Sequence, residues 1–374
     1  MTRDNDTKNP SPAPTQKTVL GGADSLSSKM MRQMVESAPT NIDDVDLTAL
    51  PEVDMPDLEG VVVHVPAQPP VTEDDIYERF QKVYFNVCVE RQVRKAGDLV
   101  ELGDEVLIDM LAYMEGRIIP FSPQQNLQFV LEEDSFLEGF AEGLVGTPVG
   151  GTKSITILRP IEDEFGLTKN LTSVFVVHVK GAASLSYPDP QAPETLAKFG
   201  EGLSLDDVYK LIGQELTSER AGAMVIEGMN HGLKAVADRI PAIIPDDLVK
   251  AQIRSEWQAQ EGRFLSEKGV GREDLDGALE GWLSDPDTQA SARQKLKTTL
   301  AILTAAANEE QELQPEELEG FVVEFSKSLG VDLEEWRAAV SEDPEAQVAI
   351  FDSYLYSRTA LHLLSKITIQ YGDA

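Results

Sequence analysis

Ser135-Phe136-Leu137-Glu138-Gly139-Phe140-Ala141-Glu142-Gly143-Leu144, with Gly146 and Gly150-Gly151 beyond it, is the stretch on which the fold turns. It reads as one short helix ended by glycine turns. Strand-like runs lie on both sides. Asp104 to Met110 alternates imperfectly, Leu127 to Leu131 is a short apolar run, Thr152 to Leu158 alternates well, and Val174 to Val179 closes the set. Four or five strands and one short helix predict a small α+β domain with an antiparallel sheet, assigned to residues 99–188.

C-terminal to it, over 189–374, the pattern turns helical throughout. Ser204 caps one helix with Asp207 at the capping-box position, and Val208, Leu211, Ile212 and Leu216 continue its apolar face. Ile244-Pro245-Asp246-Asp247 opens another helix, and Gln314-Pro315 and Asp343-Pro344 place proline at the first turn of two more. N-terminal to the small domain, residues 51–98 hold a strand over Leu58 to Val65, stopped by Pro66. A helix follows, capped by Thr72 with acids behind it. Residues 1–50 are rich in Pro, Ser, Thr, Asn and Asp, so a disordered tail is expected there. Within it Leu26, Met30, Met31, Met34 and Val35 fall at roughly helical spacing, which fits either a helix that orders on a partner or a plain tail.

The 374 residues include 65 acidic and 32 basic side chains, a net charge of −33. Such a field repels phosphate backbones, so no nucleic-acid partner is expected. Residues 309–345 concentrate the acids, which suits solvated helix faces. A single cysteine, Cys88, excludes an internal disulfide framework and fits a reducing compartment. No basic start followed by an apolar run opens the sequence, and the longest apolar stretch, Leu300 to Ala307, falls short of a bilayer span. A cytoplasmic protein without a membrane partner is the expectation. The four histidines, His64, His178, His231 and His362, sit apart from one another and from the thiol, so neither metal nor cofactor is called for. Gly146 to Ser154 imitates a phosphate loop only superficially: Thr152 separates the glycine from Lys153, and Pro148 removes a needed N–H.

What remains is apolar. Phe121, Phe129, Phe136, Phe140, Phe165 and Phe175 put six of thirteen phenylalanines in the small domain, beside Met110, Ile119 and Leu137. Each suits a core; together they also suit a shallow cleft for proline or another apolar side chain.

Gly103-Asp104-Glu105-Val106-Leu107-Ile108-Asp109, followed by Phe136 to Gly146, resembles the FKBP-type prolyl isomerase domain of the trigger factor family. Pro51 to Val65, the helix start at Thr72-Glu73-Asp74-Asp75-Ile76 and the helical pattern of 192–374 extend that resemblance over about 51–374. It implies an FKBP-like domain followed by a helical chaperone domain. It also implies peptidyl-prolyl isomerase activity at a pocket of Met110, Ile119, Leu137, Phe140, Phe165 and Phe175. Phe140 would form the floor, and the Leu137 N–H would meet the carbonyl after proline. The implied partners are unfolded or nascent polypeptides and proline-containing segments. A ribosome-docking F-R-x-G-K loop does not occur, so docking by that route is not expected. Two pocket positions depart from the family: Met110 replaces an aromatic and Pro120 an acid, which predicts weakened catalysis. Met224, Met229, Trp257, Phe264, Trp282, Trp336 and Phe351 are candidates for a client-facing surface, each also suited to a core. The two functions in view are a folding helper with isomerase activity acting off the ribosome, and a non-catalytic client-binding or assembly chaperone whose FKBP-like domain only recognises peptide.

Overall fold

The computed structural model describes residues 45–133, 135–162, 168–308 and 315–372. The expected tail lies outside them up to residue 44. The described part of that segment is packed rather than disordered: Val45 is buried, and Leu47 and Leu50 pack on the same core. The chain divides into two compact units, one of Pro69–Val89 with Tyr187–Arg220, the other of Glu90–Ser186 with the described parts of 45–68 and 221–374.

Strand β1 is only Val62–Val65, shorter than the β-branched run suggests. An Asp57 side chain accepts the Glu59 N–H, and Gly60 takes a φ of +73°, so the residues before it form a turn. Helix α1, Glu73–Cys88, starts on the cap expected at Thr72, which the structure completes into a capping box with Asp75. Asp75 N–H donates to Thr72 Oγ1 at 3.2 Å and Thr72 N–H to Asp75 Oδ2 at 2.7 Å. The Thr72 hydroxyl also donates to Asp75 Oδ2 at 2.7 Å, and with the Thr72 N–H it holds the Asp75 carboxyl down at about 2. In this unit α1 turns Phe80 inward onto Phe199 and Tyr209, with ring centroids 5.7 and 5.0 Å away, and ends on the buried Cys88. Arg220 closes the unit with an ion pair to Asp75 and a bond to the Pro69 carbonyl.

The sheet domain of the other unit holds β2 (Glu90–Val93), β3 (Glu105–Met114), β4 (Arg117–Ile118), β5 (Gln124–Val130), helix α2 (Phe140–Leu144), β6 (Thr152–Glu162) and β7 (Thr168–Ser186). These six strands form one antiparallel sheet: β7 lies between β2 and β3 and also carries β6, while β3 also pairs with β4 and β5. Alternation along β3 explains its imperfect pattern. Val106, Ile108, Met110 and Ala112 face a core shared with α2. Asp109, Leu111 and Tyr113 point the other way, where Leu111 and Tyr113 join the core of the helical region. A strand buried on both faces loses the polar positions that make alternation clean.

The helix expected over 135–144 shrinks to its second half. Phe136 takes a φ of +65° and Gly139 one of +85°, so the chain turns before the helix can start. Gly143 then lets α2 lie against β6, because a Cβ there would stand 2.5 Å from Ile155 Cγ2.

Helices α3 (Pro193–Leu196), α4 (Leu205–Asp238), α5 (Asp246–Trp257), α6 (Arg263–Glu267), α7 (Arg272–Ser284), α8 (Pro286–Asn308), α9 (Pro315–Leu329), α10 (Leu333–Ser341) and α11 (Pro344–Ser365) follow. The Ser204–Asp207 capping box starts α4 as expected. A π-helical turn, Gln258–Gly262, joins α5 to α6. The starts at Pro245, Pro315 and Pro344 also fall where the sequence places them. Leu296, Ile302, Ile253, Leu265 and Leu363 are fully buried in the helical core. The chain then adds an element the helical pattern does not announce: β8, Thr368–Tyr371, runs parallel to β1 and sets Val63 and Val65 into that core.

Candidate functional site

Register brings most of the predicted pocket together. Met110 on β3 faces Val177 across the ladder, and Phe175 on β7 faces Ala112 and Ile155, so all lie on the α2 side of the sheet. Phe140, at the start of α2, meets Phe175 edge-on with centroids 5.6 Å apart. Phe140 is fully buried, while Met110 and Phe175 are 5% and 8% exposed; Ile119 and Leu137 are half-buried at the margin. Phe165 lies outside the described residues.

Two rings that the family pattern does not single out extend the group. Phe136 sits 5.2 Å from Phe140, and Phe129 sits 4.9 Å from Phe136. Phe136 is 46% exposed, which makes it the outermost ring of a row that runs inward through Phe140 to Phe175. Its exposure comes from the three-residue turn in which the Leu137 N–H donates to the Ser135 carbonyl at 2.9 Å. That N–H, expected to point at a substrate carbonyl, is therefore already engaged. The Ser135 hydroxyl pins the loop by donating to the Val130 carbonyl and accepting the Glu132 N–H.

Pro120 and Phe121 turn away from this row. Ile119 donates its N–H to Ala112, and Ser122 closes a four-residue turn onto the Ile119 carbonyl at 3.2 Å. Phe121 reaches Trp282 of α7, with centroids 4.6 Å apart. On the same side of the sheet Asp109 is 5% exposed and held by Lys268, Lys180 and the Asn126 N–H. Burial alone would raise its carboxyl, but those partners outweigh burial and hold it below the usual range.

Among the helices, Met229, Trp257, Phe264 and Trp282 are buried core residues. Trp336 and Phe351 are half-buried and line a cavity of about 310 Å³ with Leu318, Val322, Val340 and Ile350. Glu319 and Arg337 form an ion pair on its wall. A second groove of about 410 Å³ lies between α8 and α11, lined by Ile302, Leu303, Leu355 and Tyr356. Among the described residues no cluster of three metal-ligating side chains occurs and no helix is long and apolar enough to cross a membrane.

Residues 204–365 match the family described as the bacterial trigger factor protein C-terminus, which sets the helical region in the class of chaperone C-terminal domains. The similarity to trigger factor reaches beyond that segment. The trigger factor of Macrococcus caseolyticus is 24% identical over 298 residues, covering 79% of this chain and 68% of its own. That of Streptococcus mutans serotype c is 25% identical over 307 residues, 80% and 70% of the two chains. That of Bdellovibrio bacteriovorus is 23% identical over 286 residues, 75% and 63%. A solved structure, titled for promiscuous substrate recognition in folding and assembly activities of the trigger factor chaperone, aligns over 84% of this chain and 73% of its own. Its identity is 17% and its TM-score 0.33.

Proposed function

We propose that this chain is a cytoplasmic folding helper that holds unfolded polypeptide on the apolar grooves of its helices and prolyl segments on the aromatic row of its sheet domain. The domains are those read from the sequence: residues 51–98 connecting, 99–188 FKBP-like, 189–374 client-holding. The observation that carries the reading is the row Phe129–Phe136–Phe140–Phe175, whose outer ring, Phe136, is exposed and whose inner rings, Phe140 and Phe175, are buried in an apolar cluster. Rotation about an X–Pro bond crosses a barrier of about 20 kcal/mol because amide resonance is lost. The twisted amide has less charge separation than the planar one, so a dry aromatic wall favours it. Met110 and Phe175 would back the proline ring against Phe140, with Phe165 and Ile119 beside it. Clients are met away from the ribosome, and the acidic field favours basic, apolar segments.

The test is acceleration of proline-limited refolding of a model substrate by the full chain. A rate gain at micromolar protein that Phe136→Ala abolishes supports the reading; no gain leaves the isomerase activity without support. The engaged Leu137 N–H and the full burial of Phe140 favour a second reading, recognition of peptide without catalysis. In that case aggregation of an unfolded client is suppressed equally by wild type and Phe136→Ala.

A further inference from the structure

The turn from Ile119 to Ser122 carries proline at its second position and Phe121 at its third with a φ of +62°. A positive φ at that position is what glycine supplies without cost; phenylalanine does not. A strained residue at an exposed turn needs a reason in its surroundings. The surroundings here are specific. Gly281 leaves an open seat for the proline ring: a Cβ there would stand 2.1 Å from Pro120 Cγ. Trp282 packs on the Phe121 ring. Glu261, only 4% exposed on the π-helical turn, has the Phe121 backbone N–H bearing on its carboxylate.

The seat is better made than its occupant. The indole nitrogens of Trp257 and Trp282 and Glu261 Oε2 are buried with no bond of full hydrogen-bond geometry. Burial pushes the Glu261 carboxyl up to about 7, and the two indoles and the Phe121 N–H only partly oppose this. Two N–H donors and a carboxylate oxygen left short are what the carbonyls and N–H of a relaxed, extended peptide would complete. Phe121 itself remains 46% exposed, so the tip is not locked in.

We propose that Pro120–Phe121 is a releasable latch seated in a peptide-binding notch built by Trp257, Glu261, Gly281 and Trp282. Its trans ligand is a client segment in which an apolar residue, proline and an aromatic follow one another. The proposal rests on the chain meeting unfolded polypeptide, but not on isomerisation. Release frees the tip alone, since Asp109, Leu111 and Tyr113 keep the sheet domain on the helices.

The probe is a fluorescein-labelled peptide Ile-Ile-Pro-Phe-Ser, titrated by anisotropy against the full chain. Wild type binds it weakly because the latch competes. Phe121→Gly removes the competing ring and its strain, and tightens binding about fivefold, equivalent to about 1 kcal/mol. Adding Gly281→Ala fills the seat and returns binding to the wild-type level or below. Adding Trp282→Phe instead keeps the packing, lowers affinity through the lost indole N–H, and leaves the thermal midpoint near that of Phe121→Gly, which separates recognition from misfolding. Equal binding by wild type and Phe121→Gly overturns the proposal, as does tightened binding that neither second change reduces. Refolding acceleration, measured in parallel, reads the isomerase hypothesis separately: its retention beside a failed titration sinks the latch alone.

Discussion

Asp109 and Lys268 meet at 2.7 Å, joining a buried position of strand β3 to the residue that follows helix α6. Lys180 stands 3.4 Å from the same carboxylate, and Asn126 adds its N–H at 2.9 Å. Both lysines are 35% exposed, so the charge is paired at the edge of water rather than deep inside. Lys268→Ala should therefore cost about 1–2 kcal/mol, below the full penalty for breaking a buried pair, because Lys180 remains. Urea denaturation of the full chain measures it. Asp109→Ala also removes the Asn126 bond and should cost more.

The pH dependence of that pair has a definite sign. The Asp109 carboxyl is lowered in the folded chain, so the unfolded state takes up its proton first as pH falls. Its stabilisation is present above the ordinary carboxylate value and is lost as pH drops through the depressed one. Asp109→Asn should flatten the acid limb of stability against pH below about 4; an unchanged limb would contradict the pairing.

Glu261 works in the opposite direction. Its folded value of about 7 lies above the ordinary 4.5, so between those limits the folded state holds a proton that the unfolded state has given up. Its contribution is full below pH 4.5 and declines as pH rises toward 7. The groups bearing on it, Trp257, Trp282 and the Phe121 N–H, are neutral and do not titrate in that range. Glu261→Gln should raise the urea midpoint at pH 8 relative to wild type and remove part of the slope between pH 5 and 7.

At Gly143 the prediction is steric. An added methyl meets Ile155 Cγ2 at 2.5 Å, so Gly143→Ala should destabilise the sheet domain by about 1–3 kcal/mol. In a double-mutant cycle Ile155→Ala opens room for that methyl, and the pair should cost less than the sum of the single changes.

Along the aromatic row, stability and binding should separate. Phe140→Ala empties a fully buried site and should cost about 3–5 kcal/mol. Phe136→Gly relieves a φ of +65° at a ring 46% exposed, so its cost should be under about 1 kcal/mol. The same change should weaken binding of a prolyl peptide, followed by anisotropy.

Local chemistry was readable from the chain. The caps at Thr72 and Ser204 and the proline-marked starts at 245, 315 and 344 need only neighbours in sequence, and the structure has them in place. The α+β division was equally plain, because strand runs and helical runs occupy separate segments. Less accessible was anything set by distant partners. Asp109 reads as a polar break in a strand until Lys268 is beside it, and Phe121 reads as one more core phenylalanine until Trp282 and Gly281 receive it. The short helix was overextended because Phe136 bears no mark of a positive φ, a conformation ordinarily signalled by glycine or asparagine. Strand β8 is four residues long, the shortest run over which alternation is a signal.

The parallel pairing of β1 with β8 couples Val62 to Thr368, segments separated by most of the polypeptide. During synthesis, residues 62–65 emerge early and have no ladder partner until 368–371 have also been made. Closing so long a loop is slow, and an unpaired apolar edge is a place where chains stick together. Until translation reaches that late segment, a protein we take to hold the unfolded chains of others carries an unfinished edge of its own.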